Sequence, residues 1–68
     1  MYRIKFLRLN SNKSQREVSA ETGIDASYIC TAEKYGRMYP RHRDKLAAYF
    51  GVDSSTLLDE VREVEAVR

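Results

Sequence analysis

The chain has few of the residues that build disulfides, metal sites and rigid turns. It contains one cysteine, one histidine, one proline, three glycines and no tryptophan. A single cysteine cannot form a disulfide within the chain, which favours a reducing, cytoplasmic location. One cysteine and one histidine also fall short of a structural zinc site, so we expect no metal and no cofactor. At 68 residues, the sequence predicts one small domain near the lower size limit for unaided folding.

Long hydrophobic runs are also missing. No apolar stretch approaches the roughly 18 residues of a membrane-spanning helix, so we expect no membrane partner. The N-terminal sequence MYRIKFLRLN has charges among its apolar residues and no cleavage site, which argues against a signal peptide. Hydrophobic residues make up 43% of the chain and charged residues 32%. This balance is typical of a soluble globular domain and too apolar for a disordered one.

Catalytic constellations are likewise lacking. The sequence shows no Ser/His/Asp arrangement, no paired carboxylates, no phosphate-binding loop and no metal-ligand spacing. We therefore expect a binding protein and not an enzyme.

Charge is distributed unevenly along the chain. Residues 1–45 contain ten Lys and Arg against five Asp and Glu, a net charge of +5, whereas residues 46–68 contain two against five, a net charge of −3. A basic front part of this kind suits a phosphate-bearing partner such as nucleic acid. The alternative is a surface whose mixed charge only maintains solubility.

The stretch SQREVSAETGIDASYICTAE, residues 14–33, contains the start and stop signals of two short helices. Ser14 followed by Glu17 has the spacing of a capping box. Gly23 then stands where a helix would end, because glycine adopts the left-handed cap conformation without a side-chain clash. Asp25 is a second N-cap candidate only two residues later. Two helices joined by so short a turn are typical of a helix-turn-helix.

This stretch resembles the helix-turn-helix of the lambda-repressor and Cro family, the XRE class. The matching positions within it are Gln15, Val18, Gly23, Ile24, Ile29 and Ala32. The last residue of the stretch, Glu33, also matches, and outside it the resemblance extends to Arg8, Gly36, Pro40, Phe50, Gly51 and Val52. The sequence departs from the family pattern where Ser19 replaces the usual alanine and Lys13 replaces an apolar residue. The resemblance covers nearly the whole chain.

The resemblance and the periodicity together predict an all-α fold, a compact five-helix lambda-repressor-like domain with helices two and three as the helix-turn-helix. We expect helices over 2–10, 15–22, 26–34, 41–50 and about 54–66. The domain would span 1–58, and 59–68 would form the C-terminal end of helix five. The resemblance also places Arg8 and Glu33 in a partly buried ion pair between helices one and three.

Helix three is the expected DNA-reading helix. If Ile29 and Ala32 face the core, helical geometry turns four other residues outward as candidate base contacts, namely Ala26, Ser27, Cys30 and Thr31. These side chains are short and include no Arg or Gln for a bidentate contact, so we expect modest direct readout. The alternative is a solvated helix face. For Cys30, redox control is a second alternative to a small neutral residue near the groove.

A second group of residues is expected to hold the DNA backbone. The family's Gln contacts phosphate, and the resemblance carries this role to Gln15, with Arg41 at a position that can reach the minor groove. The other candidates are Arg16, Tyr28, Lys34 and Arg37. Tyr28 is expected to have two roles, since its ring can close the edge of the core while its hydroxyl contacts a phosphate. His42 is expected to be packed, not a ligand or a base.

The apolar positions of the expected helix five continue beyond what a small core can use. Val61, Val64 and Val67 extend the stripe that begins at Leu57 and Leu58, which suggests a dimer contact. The alternative is a frayed helix whose valines cover the edge of their own domain.

The sequence therefore predicts a small transcriptional regulator that binds double-stranded DNA with sequence specificity. The prediction is most specific for a repressor of phage, plasmid or bacterial type. It would bind a pseudo-palindromic operator as a homodimer. The alternative class is a protein-interaction module, such as an antitoxin or an anti-repressor, that uses the same fold to bind another protein.

Overall fold

The computed structural model describes residues 1–61, which form four α-helices and one short 3-10 turn. The four helices confirm the all-α class. The helix expected over 15–22 is confirmed at both ends, and each of the other three differs from expectation by one residue at one end. The elements are α1 (Arg3–Asn10), α2 (Gln15–Thr22), α3 (Ala26–Tyr35), α4 (Pro40–Phe50) and the 3-10 turn Ser54–Thr56.

Local capping defines the boundary between α2 and α3. The Ser14 hydroxyl accepts a hydrogen bond from the Glu17 backbone N–H at 3.0 Å, and the Glu17 carboxylate accepts one from the Ser14 N–H at 2.7 Å. Gly23 ends α2 in the left-handed conformation with φ of 77°. Asp25 then accepts from the Ser27 N–H and opens α3. Only three residues separate the helices, and the middle one, Ile24, is buried.

The hydrophobic core receives side chains from all four helices and from two connecting segments. Its members are all almost fully buried and come from α1, α2, the α2–α3 turn, α3, α4 and the residue that follows the 3-10 turn: Ile4, Val18, Ile24, Ile29, Leu46, Ala47 and Leu57. Ala32 is also fully buried on the inner face of α3. This core orients the opposite face of α3 toward solvent.

The expected fifth helix is wrong over the described residues. After the turn Ser54–Thr56, the chain becomes extended and runs antiparallel to the N-terminus, with a β-bridge between Tyr2 and Glu60. Met1 and Val61 exchange two hydrogen bonds, from the Val61 N–H to the Met1 carbonyl at 2.7 Å and from the Met1 ammonium to the Val61 carbonyl at 3.0 Å. Residues 59–61 are therefore a strand-like partner of the N-terminus and not the end of a helix.

The start of α1 explains this arrangement. The first N–H groups of a helix lack partners within it, and Tyr2, the N-cap residue of α1, offers no side-chain acceptor. The Leu57 carbonyl accepts from the Ile4 N–H at 3.0 Å, and the Asp59 carbonyl accepts from the Arg3 N–H at 2.7 Å. A helix through residues 57–61 would use those carbonyls internally. The helical stripe expected to present Val61 to a second copy is therefore absent, and Val64 and Val67 lie outside the described residues.

The N-terminus also covers the end of α3. Gly36 ends this helix in the left-handed conformation with φ of 69°. The Tyr2 ring lies directly against Gly36, in the space that a Cβ atom at that position would occupy. Residues 1–4 and 57–61 therefore fix each other, and Tyr2 covers the C-terminal end of α3.

Candidate nucleic-acid interface

A buried ion pair joins α1 to the end of α3, as expected for Arg8 and Glu33. The Arg8 Nε donates to one Glu33 carboxylate oxygen at 2.6 Å, and its Nη2 donates to the other at 3.0 Å. Arg8 is 8% exposed and Glu33 is 7% exposed. The Arg8 Nη1 also donates to the Lys13 carbonyl at 2.8 Å, which fixes the turn before α2. One guanidinium therefore sets the positions of α1, α2 and α3 relative to each other.

Gln15 belongs to the same network. Its Nε2 donates to the Glu33 Oε1 at 3.0 Å, so the side chain is held at the first turn of α2, beside the end of α3. This nitrogen carries a second N–H, and the amide oxygen has no hydrogen bond within residues 1–61. Gln15 is thus oriented before any partner arrives, with one donor left for it.

The outward face of α3 carries the residues expected to contact bases. Ser27, Cys30 and Thr31 are exposed, while Ala26 is partly buried. The Thr31 hydroxyl donates to the Ser27 carbonyl at 3.0 Å, one turn earlier in the helix. This bond uses the only proton of the hydroxyl, so Thr31 offers an outside partner its acceptor lone pairs and its methyl group.

A cleft on one side of this face brings several cationic and polar side chains together. It has a volume of 210 Å³ and is lined by Lys5, Gln15, Cys30, Glu33 and Lys34. The cleft thus contains three of the expected DNA contacts and Glu33 of the expected ion pair, together with Lys5 from α1, which sequence reasoning missed. Lys5 could have been found from helical spacing, because it precedes Arg8 by three residues and therefore lies on the same side of α1. Glu33 adds little negative charge here because Arg8 neutralises it.

A larger groove, called the aromatic groove below, lies on the other side of the face. It has a volume of 620 Å³ and is lined by Tyr28, Thr31, Gly36, Arg37, Met38, Tyr39, Arg43 and Leu58. Tyr28, Thr31 and Arg37 were expected at the site; Met38, Tyr39 and Arg43 were not. Arg16 and Arg41 are exposed and line neither cavity.

Packed aromatic rings hold one wall of the aromatic groove. The Tyr28 hydroxyl accepts a hydrogen bond from the Tyr39 N–H at 2.7 Å, and the two rings stack with centroids 6.2 Å apart. His42 packs edge-on against Tyr28 at 4.7 Å, in the packed role expected for it. The loop between α3 and α4 is therefore fixed to α3 through Tyr28. The Tyr28 hydroxyl keeps its proton free for a partner.

A polar cluster fastens the far end of α2 to α4. The Glu21 carboxylate accepts hydrogen bonds from the Tyr49 hydroxyl and from the Lys13 ammonium, the latter at 3.0 and 3.1 Å. The Tyr49 hydrogen bond, and then the Lys13 hydrogen bond, lower the pKa of Glu21. The same bonds raise the pKa of Tyr49 and of Lys13. The cluster lies away from both cavities, so its contribution is to hold the helices that position them.

The electrostatics of the face follow from these placements. Lys5 lies on one side of the exposed α3 residues, and Arg37 and Arg43 lie on the other. Lys34 is itself an exposed residue of α3, one turn after Cys30. Among the described residues, no carboxylate lines the aromatic groove. A short, polar helix face with cations on both sides can approach a surface that carries two lines of negative charge.

Within residues 1–61, no three His, Cys, Asp or Glu side chains are grouped as metal ligands. No helix in that range is long and apolar enough to cross a membrane. Comparisons with protein-family models, with curated proteins and with solved structures found no match. The function is therefore inferred from the residues and their geometry.

Proposed function

We propose that this chain binds double-stranded DNA and acts as a small transcriptional regulator, with α2 and α3 as its helix-turn-helix. The observation that carries the proposal is the exposed face of α3 with cations on both sides. The major groove of B-DNA is wide enough for an α-helix and is bordered by two phosphate backbones. Lysines and arginines beside the reading helix then neutralise those phosphates and set its position.

In this proposal, the base contacts come from the residues that point outward from α3. Ser27 can donate or accept, and Thr31 offers acceptor lone pairs and a methyl group suited to the methyl of thymine. Cys30 adds a small neutral surface. Gln15 and Lys34 reach one phosphate strand together with Lys5, whereas Arg37 and Arg41 serve the other. Arg16 and Tyr28 remain candidate phosphate contacts.

A gel-shift titration at two salt concentrations tests the proposal. We expect binding to any duplex at low salt, because phosphate contacts supply the sequence-independent part of the affinity, and we expect salt to weaken it. Lys5→Gln should lower the slope of log affinity against log salt by about one. Lys45→Gln is the matched control, since it removes the same charge from an exposed α4 residue that lines neither cavity. Equal slopes for both variants would remove Lys5 from the interface.

Base reading and backbone holding should separate in two other variants. Arg41→Ala should weaken binding on most sequences and lower the salt slope by about one. Thr31→Ala should change the preferred sequence more than the general affinity, because it removes acceptors and a methyl group from the reading face. A binding-site selection with each variant measures this. If Thr31→Ala selects the same sequence as the original chain, Thr31 does not read bases.

The face also supports a second function. Its side chains are short, Cys30 is exposed, and the adjacent aromatic groove offers apolar contacts of the kind that protein partners use. A protein-interaction module, such as an antitoxin or an anti-repressor, would have these features. The gel shift separates the two functions, because an absence of duplex binding even at low salt favours the interaction module.

A further inference from the structure

We propose that the aromatic groove is a binding site for a small aromatic anion, a planar ring that carries a carboxylate or a phosphate. Its volume of 620 Å³ falls within the roughly 300–1,000 Å³ of small-molecule sites. The lining combines aromatic and apolar side chains with a few polar groups, the composition that such sites share. The site does not depend on the proposed DNA binding.

The charges of the groove select an anion. Arg37 and Arg43 both line it, and no acidic side chain of residues 1–61 does. The Nε of Arg43 is buried and has no hydrogen-bond partner among residues 1–61. A ligand in the groove cannot reach this buried nitrogen, so the donors of Arg43 that an anion would meet are its terminal nitrogens, together with those of Arg37. Guanidinium groups match the planar geometry of a carboxylate and the oxygens of a phosphate.

The uncharged walls of the groove select a ring. Tyr28 and Tyr39 form one wall and are held in place by their hydrogen bond and their stacking. Met38 and Leu58 contribute apolar surface. Inorganic phosphate, or the phosphate of a DNA backbone, would leave these walls in contact with water. A planar ring would cover them, since aromatic and thioether side chains pack well against a π-face. The Tyr28 hydroxyl is free to donate to the anionic group.

NMR titration of the ¹⁵N-labelled chain tests the site directly. The probes are phenyl phosphate and benzoate, with inorganic phosphate and phenol as controls that lack either the ring or the charge. We expect saturable shifts of the backbone amides of the lining residues with at least one of the two aromatic anions, and the stronger of them identifies the anionic group. We expect weaker, non-saturating shifts with both controls. A concentration of about 10 mM is enough to saturate a millimolar site. If neither aromatic anion gives saturable shifts at that concentration, the proposal is wrong. It is also wrong if inorganic phosphate binds equally well.

Two variants test the charges of the groove. Arg43→Gln should weaken binding about tenfold, the effect of one lost charge-assisted hydrogen bond. Arg37→Gln should weaken it as well, and this side chain is exposed, so folding is not at risk. Lys45→Gln is the matched control, because Lys45 is an exposed cation of α4 that lines neither cavity. Unchanged affinity in both groove variants would overturn the proposal.

Thr31 lines the aromatic groove and also lies on the face proposed to read DNA. A bound aromatic anion should therefore lower the affinity for duplex DNA, a consequence that rests on the proposed function. The two failures are distinguishable. Saturable NMR shifts without any gel shift would leave the small-molecule site in place and remove the DNA-binding function, and the reverse pattern would remove only the small-molecule site.

Discussion

Arg8 is the residue whose loss should be most damaging. Its guanidinium donates three hydrogen bonds, two to Glu33 and one to the Lys13 carbonyl, and both members of the pair are buried. Arg8→Ala would leave the Glu33 carboxylate buried without its cation, at a cost of roughly 3–5 kcal/mol. A small domain has only about 5–15 kcal/mol of total stability, so thermal unfolding should show a large fall in Tm or no folded state.

Two comparisons show whether the missing charge is the cause. Arg16→Ala, an exposed change on α2, should shift the free energy of unfolding by about 0.5 kcal/mol or less. Replacing both partners with apolar residues, Arg8→Met with Glu33→Leu, should restore much of the lost stability because no buried charge remains unpaired. An unchanged Tm for Arg8→Ala would contradict the role assigned to the pair.

Gly36 and Gly51 form a matched pair that separates backbone strain from steric overlap. Both have positive φ, 69° and 71°, so alanine at either position should cost about 1–2 kcal/mol. At Gly51 the added methyl group meets nothing, whereas at Gly36 it would overlap the Tyr2 ring. We therefore expect urea unfolding to show a clearly larger loss for Gly36→Ala. In a Tyr2→Ala background the excess should disappear, and equal losses in the original chain would mean that Tyr2 does not pack there.

At the scale of the helices, the cluster around Glu21 should make stability depend on pH. Hydrogen bonds from Tyr49 and Lys13 hold the pKa of Glu21 below its ordinary value of 4.5 in the folded state. A lowered folded-state pKa means that the stabilisation is present above 4.5 and is lost as pH falls through the folded pKa. The urea midpoints of the original chain and Glu21→Gln should therefore converge below pH 4.5. Tyr49→Phe should weaken the effect, and a constant gap between pH 7 and about pH 3 would contradict it.

The helix boundaries show what a sequence of this kind reveals. The capping box at Ser14 and the glycine end of α2 were predicted, because each depends on residues within a few positions. The glycine ends of α3 and α4 and the positive φ of Asn12 are equally local features. The Arg8–Glu33 pair came from the family resemblance and not from local pattern. The prediction of helix five was wrong over the described residues because the apolar spacing there fits a helix, and spacing was the only local signal. What decides the structure is that α1 needs the carbonyl acceptors of this segment, which lie more than fifty residues away along the chain.

The candidate site follows the same division. Its helical face could be predicted from the inward positions of Ile29 and Ala32, both fully buried. The partners that α1 and α4 bring beside that face, Lys5 and Arg43, depend on how separate helices pack. Helical periodicity within one segment carries no information about which neighbouring helix lies next to it.

At the scale of the whole molecule, the proposed two-fold dimer on DNA needs a different test now that residues 59–61 pair with the N-terminus. A chain that ends at Val61 keeps every described contact. If residues 62–68 hold the dimer, this truncation should lower affinity for a palindromic site far more than for a half-site, because one domain with short reading side chains discriminates poorly alone. Equal losses of affinity on both sites would place the dimer contact elsewhere. The melting temperature of the truncated chain should equal that of the original chain.

The contact between Met1 and Val61 brings the two ends of the described segment, residues 1–61, together. The two residues are linked by the pair of hydrogen bonds described above. In a chain that ends at Val61, a few glycines could join them covalently, and the chain could then begin at another point, as in a circular permutant. The exposed turn at Ser11 and Asn12 is a suitable opening, since it lies outside both cavities and the core. Such a permutant of residues 1–61 would keep α1 to α4 in place and make Met1 and Val61 part of an ordinary loop. The contacts among residues 1–61 therefore do not require the chain to begin at α1.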